Sequence, residues 1–378
     1  MMRCNYLDCA ATSFPKPREV TEEALRCLRT YGGNPGRGSH KMALLAAEKV
    51  YEARKLCASL VSCKSPERVA FTMNATYALN TAILSLIPEG AHLLISELEH
   101  NSVLRPVEHL CRTKGVAYDV FSTSGDVLEN VKSMIRKNTR ALICTHASNI
   151  TNAVLPVKDI GRELSRRGII FIVDASQSAG RCRIDMESAE IDALCFPGHK
   201  GLLSPQGVGV LVLSERAEPE PLVHGGSGAQ SRLPYMPREL PDRLEAGTLP
   251  TPAIAGLCKG VSYVMKRGEA RIFESERGII KKISSQFENE RRISVYSRGE
   301  GAIWLFNIRG IPSQTTSRLL DERGVCTRPG LHCAPLAHRT LKTPEDGAVR
   351  VSAGALTELW QADHFIRSLE DILRLTMG

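Results

Sequence analysis

Hydrophobic positions along the chain recur first at helical spacing and then at strand spacing. REVTEEALRCLRTYG (18–32) places apolar residues three and four apart and stops at Gly32-Gly33, and SHKMALLAAEKVYEARKLCASLV (39–61) is a longer run of the same kind. Both predict helices, joined by the glycine-rich loop GGNPGRGS. Short apolar runs then alternate with helical segments: RVAFTM and a helix from Ala75, HLLISE and a helix near Ser102, RALICTHAS and PVKDIGRELSRRG, then GIIFIVDAS. This alternation predicts an α/β fold with a mainly parallel sheet covered on both faces by helices. LCFPGHKGLLSPQGVGVLVLSE reads as two strands joined by a polar turn, and GGSGAQSRLPYMPRELPDRLEAGTLPTP as a long loop without periodicity. A helix-rich stretch from Thr251 to about Glu290, then AIWLFNIRG, a helix near Gln314, GAVRVSAG and the closing ELWQADHFIRSLEDILRL predict a smaller α+β domain. The expected division is a large domain over 14–258 and a small one from 1–13 and 259–378.

A length of 378 residues accommodates two such cores. The net charge of +8 is spread out, without a Lys/Arg tract interleaved with aromatics, so nucleic acid is not an expected partner. No stretch is long enough to span a bilayer, and the N-terminal residues contain no signal-like apolar segment. The 12 cysteines are therefore read as mostly free thiols in a reducing, cytoplasmic compartment, with Cys144 and Cys195 as buried apolar fillers.

Ligands of parallel sheets bind beyond the carboxyl ends of the strands, and each expected strand here ends in polar residues. Asp174 follows IIFIV, where a carboxylate can face a ligand cation or simply cap a turn. Lys200 lies 26 residues later beside His199 in a glycine-flanked turn, where restricted solvation can lower the amine's pKa toward Schiff-base use, although taken alone a solvated turn lysine is the favoured reading. An amine and a carboxylate at two such exits suit pyridoxal phosphate, whose aldehyde takes a lysine and whose ring nitrogen needs an anionic partner. NATYAL offers Thr76 and the N–H groups of Ala75 and Thr76 at a helix start for the phosphate. His100 stands at another exit, placed to stack on the ring, and Asn149 and Gln177 at two more, placed to meet its phenolic oxygen.

With these residues the chain resembles the class V aminotransferase group of fold-type-I pyridoxal phosphate enzymes, and within it the cysteine desulfurases, from YLDCAAT to VRVSAG. The resemblance implies Lys200 as the Schiff-base lysine, Asp174 as the ring-nitrogen partner, His100 as the stacking imidazole, Asn149 and Gln177 near the phenolic oxygen, and Ala75, Thr76 and His199 on the phosphate side. EAGTLPTP looks like the segment that reaches the neighbouring subunit's phosphate, which implies a homodimer with shared active sites completed by Gly247 and Thr248. RPGLHCAPLAH is similar to the loop of the group II, selenocysteine lyase-like desulfurases, which makes Cys333 the nucleophile. His332 and Arg328 are then cationic neighbours favouring its thiolate. Arg350, alternating with Val349 and Val351, is assigned to the substrate carboxylate, for which a bidentate fork is suited.

Two departures stand out: Pro197 occupies a position where relatives carry Ser or Thr, and Gly36 one where group II members carry His. The implied reaction converts L-cysteine to L-alanine and a persulfide on Cys333, for a thiol or a sulfur-carrier protein to take up. Alternatives are selenocysteine lyase action on L-selenocysteine, or another class V reaction in which Cys333 is incidental. A zinc site at Cys326, His332, Cys333 and His338 lacks the Cys-x-x-Cys element, and no metal is expected. The glycine-rich segments do not complete a nucleotide-binding motif.

Overall fold

The computed structural model describes residues 4–36, 38–297 and 301–375. The chain divides into two compact units, one of Lys16–His146 and Leu155–Lys266, the other of Met1–Pro15, Ala147–Val154 and Arg267–Gly378.

Strand β1 (Asn5–Tyr6) opens the smaller unit, and the next seven strands build the larger one. These are β2 (Val69–Thr72), β3 (His92–Ser96), β4 (Ala117–Phe121), β5 (Thr139–Thr145), β6 (Ile170–Asp174), β7 (Ala193–Pro197) and β8 (Gly209–Leu213). They lie in the order β2-β8-β7-β6-β5-β3-β4. From β7 to β4 every pairing is parallel, whereas β8 runs antiparallel to both β7 and β2. Strands β3, β7 and β8 are buried along their whole length, which is why they read as continuous apolar runs and not as alternations.

The helices Ala75–Leu86, Asn101–Lys114 and Val157–Arg166 follow β2, β3 and β5, as the pattern predicts. Their starts are set locally: Asn74 Oδ1 accepts from the Tyr77 N–H at 3.2 Å, and His100 Nδ1 from the Ser102 N–H at 3.0 Å. The sequence reading missed β4 and the helix Val127–Met134. Strand β4 lies at the sheet edge with only Phe121 fully buried, so its apolar pattern is weak.

In the smaller unit β9 (Ile293–Ser297), β10 (Ile303–Ile308) and β12 (Val349–Ser352) form an antiparallel sheet with β10 in the middle, while β11 (Val325–Cys326) pairs in parallel with β1. Trp304 on β10 is fully buried, stacked on Phe306 at 4.2 Å and meeting Phe365 of the helix Leu359–Leu375 edge-on. Residues 147–154 join this unit because Asn152 clasps the Ile303 backbone, its Oδ1 accepting from the N–H at 2.9 Å and its Nδ2 donating to the carbonyl at 2.7 Å. Among the described residues no helix is long and apolar enough to cross a membrane.

Candidate active site

In the larger unit Asp174 is the last residue of β6, and Lys200 lies three positions past the end of β7. The two strands are parallel neighbours with Asp174 paired to Cys195, so both residues leave the sheet at the same edge. Asp174 is 3% exposed, and its Oδ1 accepts from the Ser176 N–H at 2.8 Å. The turn-capping reading therefore also holds, and it fixes how the carboxylate is presented. The His199 carbonyl accepts from Lys16 Nζ at 3.0 Å. Burial, with the Lys200 and Lys16 charges adding to it, pushes the His199 imidazole down to about 4, so the ring is neutral near pH 7.

The start of the helix Ala75–Leu86 points its first N–H groups outward, where no preceding helical carbonyl can accept them. Gly209 on β8 packs against it: a Cβ there would sit 2.3 Å from the Asn74 carbonyl carbon, so only glycine lets the strand approach this turn. Ser102 ties two candidate residues together. Its Oγ lies 2.9 Å from Thr76 Oγ1 and 2.9 Å from His100 Nδ1. Because the Ser102 N–H donates to Nδ1, that nitrogen is the acceptor and a neutral His100 carries its proton on Nε2. Gln177 is buried, with its Oε1 accepting from Arg181 Nη1 at 3.2 Å. Sequence reasoning missed Ser102 and Lys16, although a Ser two residues into a helix after His100 is a recognisable capping signal.

Behind Asp174 lies a second carboxyl, at a strand exit, to which the sequence reading gave no role. Glu99 is fully buried, held by Ser96 Oγ and by the Thr145 N–H at 2.9 Å, and Thr145 is the residue paired with Asp174 across β5 and β6. Burial pushes its carboxyl up to about 8, with the Asp174 charge adding to the rise, so Glu99 is mainly protonated at pH 7. Glu99 thus stands as a mainly neutral carboxyl behind Asp174.

A carboxylate and an amine at adjacent strand exits, a helix start opened by Gly209, and an imidazole of fixed tautomer are the donor set that pyridoxal phosphate requires. The residues present fit that group. Gly247 and Thr248 stand apart from them, lining a separate cavity of about 420 Å³ together with Gly36, Arg54 and Glu245. Their segment is anchored by a buried two-point ion pair, Arg54 to Glu245 at 2.7 and 2.9 Å, while Glu245 Oε1 also accepts from the Phe71 N–H on β2.

In the smaller unit Cys333 is exposed, at φ 56° directly after His332 at φ 51°. Two consecutive non-glycine residues in the left-handed region cost about 1–2 kcal/mol each, so other contacts must hold the loop. Asn149 Nδ2 donates to the His332 carbonyl at 2.9 Å. The His332 ring reaches the Arg328 carbonyl at 2.9 Å through Nε2 and His338 Nε2 at 3.1 Å through Nδ1. Gly347 crosses beneath the loop, where a Cβ would lie 2.1 Å from the Gly330 carbonyl oxygen.

Arg350 is 2% exposed, not a surface strand residue. Its Nη2 meets Asp8 Oδ1 at 2.9 Å and its Nη1 donates to the Asn149 carbonyl at 3.2 Å. Arg328 and Arg350 bridge each other through their backbones, with N···O distances of 3.2 and 2.8 Å. The structure thus gathers Asn149, Arg328, Cys333 and Arg350 in the smaller unit and the remaining candidates in the larger.

The expectation that His332 is a cationic neighbour of Cys333 is corrected. Burial, then the Arg350 charge, pushes its imidazole down to about 3, so the ring is neutral beside the thiol. Among the described residues no group of three or more His, Cys, Asp or Glu is arranged to hold a metal ion, so the zinc reading finds no support there.

The architecture is that of the fold-type-I pyridoxal phosphate enzymes, and the chain belongs to the aminotransferase class-V family, which it matches over residues 5–365. It is 32% identical to a probable cysteine desulfurase from Methanothermobacter thermautotrophicus over 92% of this chain and 89% of that protein. It is 30% identical to a probable cysteine desulfurase from Pyrococcus abyssi over 98% and 94%. A solved structure, the apo form of a cysteine desulfurase from Thermococcus onnurineus NA1, matches with a TM-score of 0.90 at 28% identity, covering 98% of this chain and 95% of that one.

Proposed function

We propose that the protein is a pyridoxal phosphate-dependent cysteine desulfurase that converts L-cysteine to L-alanine and leaves a persulfide on Cys333. The observation that carries the reading is the pair Asp174 and Lys200 at the exits of adjacent parallel strands, in a chain that also presents an exposed Cys333. The similarity to desulfurases over nearly the whole chain supports it.

When bound, pyridoxal phosphate supplies an aldehyde that condenses with amines and a protonated ring that withdraws electrons from the substrate Cα. Asp174 holds the proton on the ring nitrogen, and the Ser176 N–H keeps its carboxylate oriented. His100, fixed by Ser102, covers the ring, while the N–H groups of Ala75 and Thr76, the Thr76 hydroxyl and the His199 turn receive the phosphate. Gln177 and Asn149 serve the phenolic oxygen. Lys200 would hold the cofactor through its amine, and the same amine would move the substrate α-proton. Arg350, held by Asp8, and Arg328 receive the substrate carboxylate.

The Cys333 thiolate then attacks the substrate sulfur. An S–S bond forms, the substrate Cβ–S bond breaks, and its electron pair stays with the carbon skeleton, which gains protons and leaves as alanine. Enzyme thiol plus cysteine becomes enzyme persulfide plus alanine, with no outside oxidant. A small thiol or a sulfur-carrier protein then takes up the terminal sulfur.

We extend the proposal to a homodimer. The Gly247 and Thr248 cavity, whose lining does not include Lys200, is the surface proposed to meet the second copy.

Loaded with pyridoxal phosphate, the protein is expected to show a visible absorption band that changes on adding L-cysteine, with alanine released. Lys200→Ala is expected to lose both the band and the turnover. A Lys200→Ala protein that keeps the band and releases alanine at the parent rate would overturn the reading. Parallel assays with L-selenocysteine and with a keto acid separate the lyase and aminotransferase alternatives.

A further inference from the structure

The Cys333 loop is braced by a line of side chains to which the reaction above assigns no role. Its direction follows from donor and acceptor chemistry. The Arg328 carbonyl only accepts, so His332 Nε2, at 2.9 Å, carries a proton. Burial keeps His332 neutral, so its Nδ1 is then an acceptor. His338 Nε2, 3.1 Å away, must therefore be the donor. His338 is also neutral, pushed down to about 4 by burial and the Arg350 charge, so its Nδ1 accepts. Thr343 Oγ1, at 2.8 Å, donates to it. The chain runs one way, from the Thr343 hydroxyl through His338 and His332 to the Arg328 carbonyl.

Both ends of the line matter to the proposed chemistry. The same Arg328 carbonyl accepts from the Arg350 N–H at 2.8 Å, and the next residue after His332 is Cys333, in the second of two left-handed backbone conformations. The two imidazole planes lie 15° from parallel with centroids 5.3 Å apart, the separation that an edge-to-edge bond between the rings gives. The line thus connects the backbone that presents the nucleophile to the strand that presents Arg350.

We propose that His338 and Thr343 are positioning residues for sulfur transfer, orienting His332 so that Cys333 is held in fixed relation to Arg350. Neither touches the substrate, and both act through the His332 ring. The inference rests on the reading of Cys333 as the nucleophile.

The test uses the pyridoxal phosphate-loaded protein and the variants His338→Phe, His338→Gln and Thr343→Val. Two quantities are measured: cysteine turnover, and the rate at which iodoacetamide alkylates Cys333, followed by peptide mass spectrometry. The phenyl ring keeps the bulk without hydrogen bonds, whereas glutamine restores a donor toward His332. For His338→Phe, kcat is expected to fall about tenfold with KM for cysteine within about twofold, the visible band unchanged, and the Cys333 alkylation rate altered about threefold or more. His338→Gln is expected to recover most of the loss, and Thr343→Val to give a smaller shift in the same direction. Thr343 is partly solvent-facing, so its variant keeps the test open if His338→Phe does not fold.

Parent-like kcat and alkylation in the variants, or a glutamine variant no better than the phenylalanine one, would overturn the proposal. The alkylation rate reports on the loop without any turnover. If Cys333→Ala desulfurates cysteine at the parent rate, it is the nucleophile reading that fails.

Discussion

At the residue scale the proposal depends on which groups carry charge. Asp174 is presented at the strand exit with its Oδ1 held by the Ser176 N–H, while burial keeps Glu99 behind it mainly protonated at pH 7, so Glu99 adds little negative charge there. Asp174→Asn keeps an oxygen for the Ser176 N–H but cannot hold the ring proton. Alanine formation is expected to drop about 100-fold or more with little change in melting temperature, checked by steady-state kinetics beside thermal unfolding. A variant within about threefold of the parent would mean that Asp174 only caps its turn.

The types of these residues were legible in the sequence because each stands where an apolar run stops. Their protonation was not. Nothing in HCA marks His332 as neutral, because that depends on burial beside Arg350, a residue separated from it by 17 positions.

At the element scale, the mainly parallel character of the sheet was readable because strands such as β3 and β7 are buried along their whole length and read as apolar runs between helical segments. Strand β4 and the two-residue pairing of β1 with β11 were not, being an edge strand and a contact between distant parts of the chain. The segment of Asn149, read from the sequence as a strand exit carrying a ligand for the phenolic oxygen, is fastened to β10 by Asn152.

The long loop with no periodicity has one firm anchor, the Arg54–Glu245 pair against β2, with both side chains 6% exposed. Arg54→Ala leaves the buried Glu245 without its ion-pair partner, with the Phe71 N–H still donating to it. That is expected to cost about 3–5 kcal/mol, read from chemical denaturation. A loss below about 1 kcal/mol would show that the loop is held by other contacts.

For the whole molecule, three buried histidines and Glu99 give pH dependences of stability of opposite sign. His146, His332 and His338 have folded values pushed down to about 4, 3 and 4 from an ordinary 6.5. The unfolded chain therefore binds more protons in that window, and stability present above 6.5 is lost as pH falls toward 4. Glu99 has the opposite sign. Its folded value near 8 lies above the ordinary 4.5, so its contribution is present below 4.5 and lost as pH rises through 8. Glu99→Gln is expected to remove the fall in melting temperature that Glu99 contributes between about pH 4.5 and 8. An unchanged slope across that window would show that Glu99 does not titrate there.

The most direct test of the central claim is mass spectrometry of the Cys333 peptide after the pyridoxal phosphate-loaded protein is incubated with L-cysteine, with alanine measured in the same sample. The account predicts one added sulfur atom on Cys333, appearing with the first equivalent of alanine and removed by a reducing thiol. Alanine released while Cys333 never carries sulfur would contradict it.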